Sequence, residues 1–148
     1  PEVEALREST GLPGMAVLQF AFGGDDSNAY LPHNVSANTV IYTGTHDNDT
    51  TVGWYGSEAE HVRDHARRYL GVSGEDIAYD LIRGAIKTTA NLAVVPLQDL
   101  MRLGCSARLN TPGEAAGNWQ WRYLPAQLEK LSKESGAEFR ELLAHYGR

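Results

Sequence analysis

Residues 39–51 read TVIYTGTHDNDTT, and the change of character inside this stretch sets the architecture. Thr39 to Thr43 (TVIYT) is β-branched and aromatic, which suits a pleated, packed surface and predicts a strand. It runs without a linker into Gly44 to Thr51 (GTHDNDTT), where no large apolar side chain occurs. A buried strand that opens directly into a polar loop carries its chemistry at its C-terminal end.

The flanking segments repeat the pattern. Upstream, Met15 to Phe22 (MAVLQFAF) is short, apolar and bounded by glycines, and predicts another buried strand. Gly23 to Ala37 reads as a loop. Pro1 to Thr10 has proline at a helix start, early glutamates and Leu6 for an inward face, and predicts a short helix ended by Gly11-Leu12-Pro13-Gly14. Downstream, Ser57 and Glu60 form an S-x-x-E box for a helix toward Leu70 that Gly71 stops, and Ser73 to Asp76 offers a second box. Ile77, Leu81 and Ala85, flanked by Ile82 and Ile86, make a helical stripe. Leu92 to Val95 predicts a third buried strand, and Leu109 to Arg122 a loop. Pro125 opens a helix, Gly136 breaks it, and Phe139, Leu142, Leu143 and Tyr146 line a last one. Apolar strands alternating with helices indicate a parallel α/β sheet.

Composition excludes several classes. The 148 residues are 42% apolar, enough for one core and few for two. The formal charge of −6 comes without a basic stripe, so nucleic acid is not an expected partner. No apolar run approaches the ~20 residues that span a bilayer, so no membrane partner is expected. A single cysteine, Cys105, cannot form an internal disulfide. It reads as a packing residue in a reducing, cytoplasmic setting. No G-x-G-x-x-G or P-loop follows any strand, so a nucleotide fold has no fingerprint. The chain begins at Pro1 rather than Met, inside what reads as a helix, and the expectation is a cut through a larger protein.

His46, Asp47 and Asn48 sit where a ligand would meet the strand end. An aspartate there can hold ligand hydroxyls or a developing cation. The bland alternative is an Asx turn in which Asp and Asn bond their own backbone; Asp49 fits a capping or supporting role. In Asn110 to Arg122 (NTPGEAAGNWQWR), Trp119 and Trp121 alternate and would face one way if extended, either to stack on sugar rings or to pack the loop. Asn110 is a candidate contact or an ordinary turn residue. Of Phe20 and Phe22, one should enter the core, and Phe22, nearest the loop, is the candidate ligand contact. His61 and His65 stand four apart on a helix among arginines, which reads as a solvated face rather than a metal site. His33 and His145 have no evident partner, and Asp25-Asp26 reads as a solvated turn.

Four runs then carry a family resemblance: LPGMAVLQFAFGGDDSNAYLPHNV, NTVIYTGTHDNDTTVGWY, NLAVVPLQDLMRLG and NTPGEAAGNWQWR. Together, in this order over nearly the whole chain, they resemble the 4-α-glucanotransferases, the amylomaltases or disproportionating enzymes among the α-amylase-related glycoside hydrolases. The resemblance implies a (β/α)8 TIM barrel, of which residues 1–148 would be the C-terminal portion, about strands six to eight, with no complete second domain. It implies transfer of α-1,4-glucan segments to another glucan or glucose with retention of configuration, and so a nucleophile and a general acid/base. Asp47 matches the third, transition-state-stabilising carboxylate, and His46 the adjacent sugar-binding histidine. Phe22 matches the acceptor side and Asn110 a substrate-proximal asparagine. The partners implied are maltooligosaccharides, starch or glycogen, and the missing N-terminal part of the same barrel. No metal or organic cofactor is implied.

The nucleophile motif has no counterpart here. The family's acid/base glutamate lies just before a helix that begins like PEVEALR, and Glu2 and Glu4 are helix residues rather than that acid. The isolated chain is therefore expected to be inactive and poorly folded. Two other readings compete: a non-catalytic carbohydrate-binding module using Trp119, Trp121 and Phe22, and a metal-dependent phosphohydrolase built on His46-Asp47. The latter would place its His-Asp pair on a helix, not after a β-branched strand.

Overall fold

The structure is a computed structural model that describes residues 2–148; the helix-opening role expected of Pro1 lies outside the described residues. Helix α1 (Glu2–Thr10) leads into β1 (Gly14–Val17), a long connection, and β2 (Thr39–Tyr42). Three helices follow: α2 (Thr51–Ser57), α3 (Glu60–Leu70) and α4 (Ile77–Ile86). Then come β3 (Leu92–Val94), the short α5 (Leu97–Leu100), a long loop, and the pair α6 (Pro125–Glu134) and α7 (Gly136–His145). The strands form one parallel sheet in the order β1-β2-β3. This is the α/β arrangement the alternation predicts.

The register separates the two faces. Ala16, Ile41 and Ala93 lie side by side, and so do Met15, Val40 and Leu92. The first row packs under the helices with Leu81, Ala85 and Ala66. Burying an aliphatic side chain such as Ile41 or Leu81 is worth about 1.5–3 kcal/mol, so this row anchors the sheet. The second row is bare: Met15 is 61% exposed and Leu92 53%. Helix α4 is the central helix, with Ile77, Leu81 and Ala85 toward the sheet and α3, and Ile82 and Ile86 toward Leu142 of α7. Gly84 lets α4 lie close to α3, because a Cβ there would sit 3.0 Å from Leu70 Cδ2.

Several expectations are corrected. Strand β1 ends at Val17, and Leu18–Phe20 turns into a 3-10 helix. The buried Gln19 needs a partner for its amide and finds it outside the sheet. The Ser57/Glu60 box does not start a helix. Thr50 caps the earlier α2 by accepting from the Gly53 N–H at 3.1 Å, so Ser57 falls at that helix's end and donates to the Trp54 carbonyl. The second box is partly right, with Asp76 capping α4 through the Tyr79 N–H. Gly71 stops α3 with φ +69°, as expected. Strand β3 is an exposed edge rather than a buried strand, and α1 buries no residue, so Leu6 faces solvent. Cys105 is exposed rather than packed. Among the described residues no helix is long and apolar enough to cross a membrane.

Candidate active site

The C-terminal ends of β2 and β3 open on one cleft of about 470 Å³, which Met15 of β1 also lines and whose walls include Tyr42, His46, Asp47, Arg108 and Leu109. The cleft forms because the loop after β2 stands up as an arch. Thr45 donates its N–H and hydroxyl to Asn48 Oδ1 at 3.0 and 2.8 Å, and the Asn48 N–H returns to the Thr45 carbonyl. The Asx-turn reading is thus correct for Asn48. It is not correct for Asp47, whose carboxylate makes no bond to its own backbone and is half exposed.

Asp47 is instead met from across the cleft. Asn110 Nδ2 donates to Asp47 Oδ1 at 2.6 Å, and His46 Nε2 lies 3.3 Å from the same oxygen. Arg108 donates to the Asp47 carbonyl at 2.8 Å and to the Asn110 carbonyl at 2.9 Å, fastening one loop to the other. The Trp119 ring lies 5.1 Å from the His46 imidazole, tilted by 36°. That stacking depends on an unusual backbone: Trp119 has φ +62°, a left-handed conformation costing a bulky residue about 1–3 kcal/mol. Asn118 holds the loop around it, accepting from the Thr111 N–H and donating to the Thr111 and Glu114 carbonyls. His46, Asp47, Asn110 and Trp119 are therefore one cluster, drawn from two loops.

Phe22 does not join them. It is 1% exposed, with Trp54, His65 and Tyr69 around it at 6.0–6.1 Å between ring centroids. Phe20 is the outward phenylalanine, 54% exposed, on the rim shared with Asp47 and Asn48. The 3-10 turn after Val17 breaks the strand alternation and exchanges the two expected positions. Trp121 pairs with Tyr123 rather than with Trp119, so no flat double-tryptophan platform exists.

Three residues not singled out in the sequence build the arch. Gln19 Nε2 donates to the Asp49 carbonyl at 2.9 Å, and Gly44 is required beneath it, since a Cβ there would sit 2.6 Å from that nitrogen. Asp99 and Arg108 hold the arch from the β3 side. A glutamine inside an apolar run and an aspartate inside PLQDL were the available signals. Asp49 stands beside the cap rather than being it: Thr50 caps α2, and Asp49 supports that turn by accepting from the Thr50 N–H at 2.7 Å.

The remaining candidates are structural. His65 Nδ1 bonds the Phe22 carbonyl at 2.9 Å, so it packs rather than standing solvated beside His61. His33 pairs with the Tyr69 hydroxyl. Asp25 accepts from the Ser27 hydroxyl and N–H, which hold its carboxyl below the usual range in a solvated turn. Among the described residues no group of three or more His, Cys, Asp or Glu is placed to hold a metal ion.

A carboxylate at a strand end, held by one donor and open on its other side, can accept ligand hydroxyls and stabilise a positive centre. The neighbouring imidazole and indole add a hydrogen-bonding edge and an aromatic face.

Comparison with known proteins agrees with these motifs. The family model described as 4-alpha-glucanotransferase matches residues 1–128. A chloroplastic/amyloplastic 4-alpha-glucanotransferase of Arabidopsis thaliana is 48% identical over 150 residues, covering 99% of this chain and 26% of that protein. The 4-alpha-glucanotransferase of Thermus thermophilus is 49% identical, covering 96% of this chain and 29% of that protein. An amylomaltase from Streptococcus agalactiae, solved in complex with acarbose, superposes with a TM-score of 0.90 at 31% identity, covering 99% of this chain and 30% of that one. The chain thus spans under a third of the length of the relatives it matches.

Proposed function

The chain belongs to the 4-α-glucanotransferase family, and from that premise we propose that it forms the C-terminal part of a retaining glucan-transferring enzyme. The substrates are α-1,4-glucans, from maltooligosaccharides to starch or glycogen, cut and passed to another glucan or to glucose. The observation that carries this reading is the Asn110–Asp47–His46 cluster at the C-terminal end of a parallel sheet. In an α/β barrel that end is the active face.

In this reading Asp47 grips sugar hydroxyls and stabilises the oxocarbenium-like transition state. His46 binds the sugar at the cleavage point, and Asn110 orients Asp47 beside the substrate. Phe20 takes the acceptor-side aromatic position in place of the buried Phe22. Retention needs a nucleophile and an acid/base about 5–5.5 Å apart. Asp49 and Asp99, the other carboxylates at the cleft, are occupied by backbone and threonine donors. The reading therefore assigns both missing carboxylates to other segments of a longer polypeptide.

The bare sheet face supports the same view. A row of Met15, Val40 and Leu92 is suited to a barrel lumen completed by about five further strands. Left open, it is an aggregation surface, and the isolated 148 residues should lack activity and fold poorly. A cytoplasmic setting belongs to the proposal for a bacterial-type enzyme, whereas the plant relative is named as chloroplastic/amyloplastic. The binding-module alternative loses its main support with the absence of a tryptophan platform.

The test is disproportionation of maltotriose by the complete polypeptide and by the 148-residue chain. Activity is expected only in the former, and Asp47→Ala there should lower kcat by ~10²–10³-fold with the fold intact. Near-parental transfer by Asp47→Ala, or transfer by the 148-residue chain alone, would overturn the assignment.

A further inference from the structure

Asp99 is 1% exposed and sits on α5, one turn after β3. Its Oδ2 accepts from Thr43 Oγ1 at 2.6 Å and from Thr51 Oγ1 at 2.8 Å. Its Oδ1 accepts from the Thr51 N–H at 2.8 Å. Thr43 follows the last residue of β2, and Thr51 is the first residue of α2. One carboxylate thus clamps both feet of the arch that carries His46 and Asp47. A buried carboxylate is costly unless its oxygens are fully engaged, so three convergent donors mark a built feature rather than an incidental contact. Asp99 stands in the cleft wall, but at 1% exposure and with both oxygens engaged by Thr43 and Thr51 its carboxylate is committed to the arch rather than offered to a ligand.

We infer that Asp99 is a positioning residue for transfer, an inference that rests on the function proposed above. It fixes the height of residues 44–50 so that the Asp47 carboxylate meets the Asn110 donor. The arch has two further ties: Gln19, whose backbone N–H donates to the Thr43 carbonyl at 3.3 Å and whose Nε2 donates to the Asp49 carbonyl, and Arg108, which grips the Asp47 carbonyl. Gln19 reaches the arch through backbone carbonyls, whereas the Asp99 clamp joins the side chains of both foot residues, Thr43 and Thr51, through one carboxylate. A misplacement of about 1 Å at a catalytic group can cost about 100-fold in rate, so releasing the feet should act on turnover even though no contact with glucan is lost.

The experiment uses the complete polypeptide carrying Asp99→Ala, Asp99→Asn or Thr51→Val. It reads kcat and KM for maltotriose disproportionation well below each variant's melting temperature, together with hydrogen exchange at the Thr51 amide. Asp99→Ala should lower kcat about 10- to 100-fold while KM moves by less than about 3-fold. Asp99→Asn should recover part of that loss, because its oxygen still accepts from the Thr51 N–H and its amide can donate to the rotated hydroxyls. Thr51→Val keeps the N–H bond and the volume and should lose less than Asp99→Ala. Thr51 should exchange faster in Asp99→Ala alone.

Parental kcat in folded Asp99→Ala, or an effect confined to melting temperature, overturns the inference. If Asp99→Ala does not fold, parental kcat in both Asp99→Asn and Thr51→Val overturns it. A parental polypeptide without maltotriose disproportionation overturns the function reading instead; the clamp is then judged by Thr51 exchange, and unchanged protection in Asp99→Ala refutes it.

Discussion

Asn110 Nδ2 donates to Asp47 Oδ1 at 2.6 Å, joining two loops that follow different strands of the sheet. The bond leaves the second carboxylate oxygen free to face the cleft. A hydrogen bond to a charged group is worth about 1.5–3 kcal/mol, and one that orients the group acts on the transition state as well. Asn110→Leu in the complete polypeptide should therefore lower kcat/KM for maltotriose about 10- to 150-fold, at 1.4 kcal/mol per factor of ten. An unchanged kcat/KM would reduce Asn110 to a turn residue.

The two phenylalanines at the end of β1 separate stability from substrate contact. Phe22 fills the core against Trp54 and Tyr69, and its truncation to Ala should cost about 3–5 kcal/mol, read as a lower urea midpoint. Phe20 is half exposed, pairs its ring with Tyr30 at 6.1 Å between centroids and stands at the cleft rim. Phe20→Ala should leave the midpoint within about 1 kcal/mol while changing KM for the acceptor sugar. The reverse pattern would restore Phe22 to the acceptor side.

That exchange illustrates what sequence carries and what it does not. Helix α4 and its two buried flanks follow from spacing alone, because Ile77, Leu81 and Ala85 recur at the helical period. The polar arch after Tyr42 is equally plain, and so is its loop partner around Asn110. Legibility fails where one side chain settles the matter at long range. Gln19 leaves the strand to reach Asp49, thirty residues on, and that departure displaces Phe20 and Phe22 from strict alternation. Thr50 caps α2 and so demotes the Ser57 box, a competition between two valid local signals that only tertiary packing decides. Asp99 looks like a surface acid in sequence, because the two threonines that bury it lie 48 and 56 residues away.

Asp80 offers a pH test away from the cleft. Its carboxyl is mostly buried on α4, and burial raises its pKa above 3.8 despite Arg83 at 3.4 Å. A raised carboxyl pKa means the folded state prefers the protonated form. Its contribution to stability is therefore greatest below the ordinary value and is lost as pH rises through the raised one. Glu60 has the opposite sign. Arg67 lowers its pKa, so its contribution is present above 4.5 and lost as pH falls through the lowered value. Asp80→Asn should thus gain melting temperature relative to the parent as pH goes from 3 to 7, and Glu60→Gln should lose it. Parallel melting curves for Asp80→Asn and the parent across that range would show that burial does not govern Asp80.

The bare sheet face makes barrel closure testable with one residue. Leu92 lies in the row with Met15 and Val40, on the side away from α4, and is 53% exposed in this chain. If the face stays open, Leu92→Lys places a charge in water and changes stability by no more than about 0.5 kcal/mol. If further strands close a lumen over it, the same charge is buried without a partner, at a cost of several kcal/mol. The complete polypeptide carrying Leu92→Lys should therefore melt well below its parent, whereas the 148-residue chain carrying it should become more soluble than its own parent. A complete polypeptide indifferent to Leu92→Lys would mean that this face does not line a closed barrel, and the assignment of the missing carboxylates to the other strands of such a barrel would lose its structural basis.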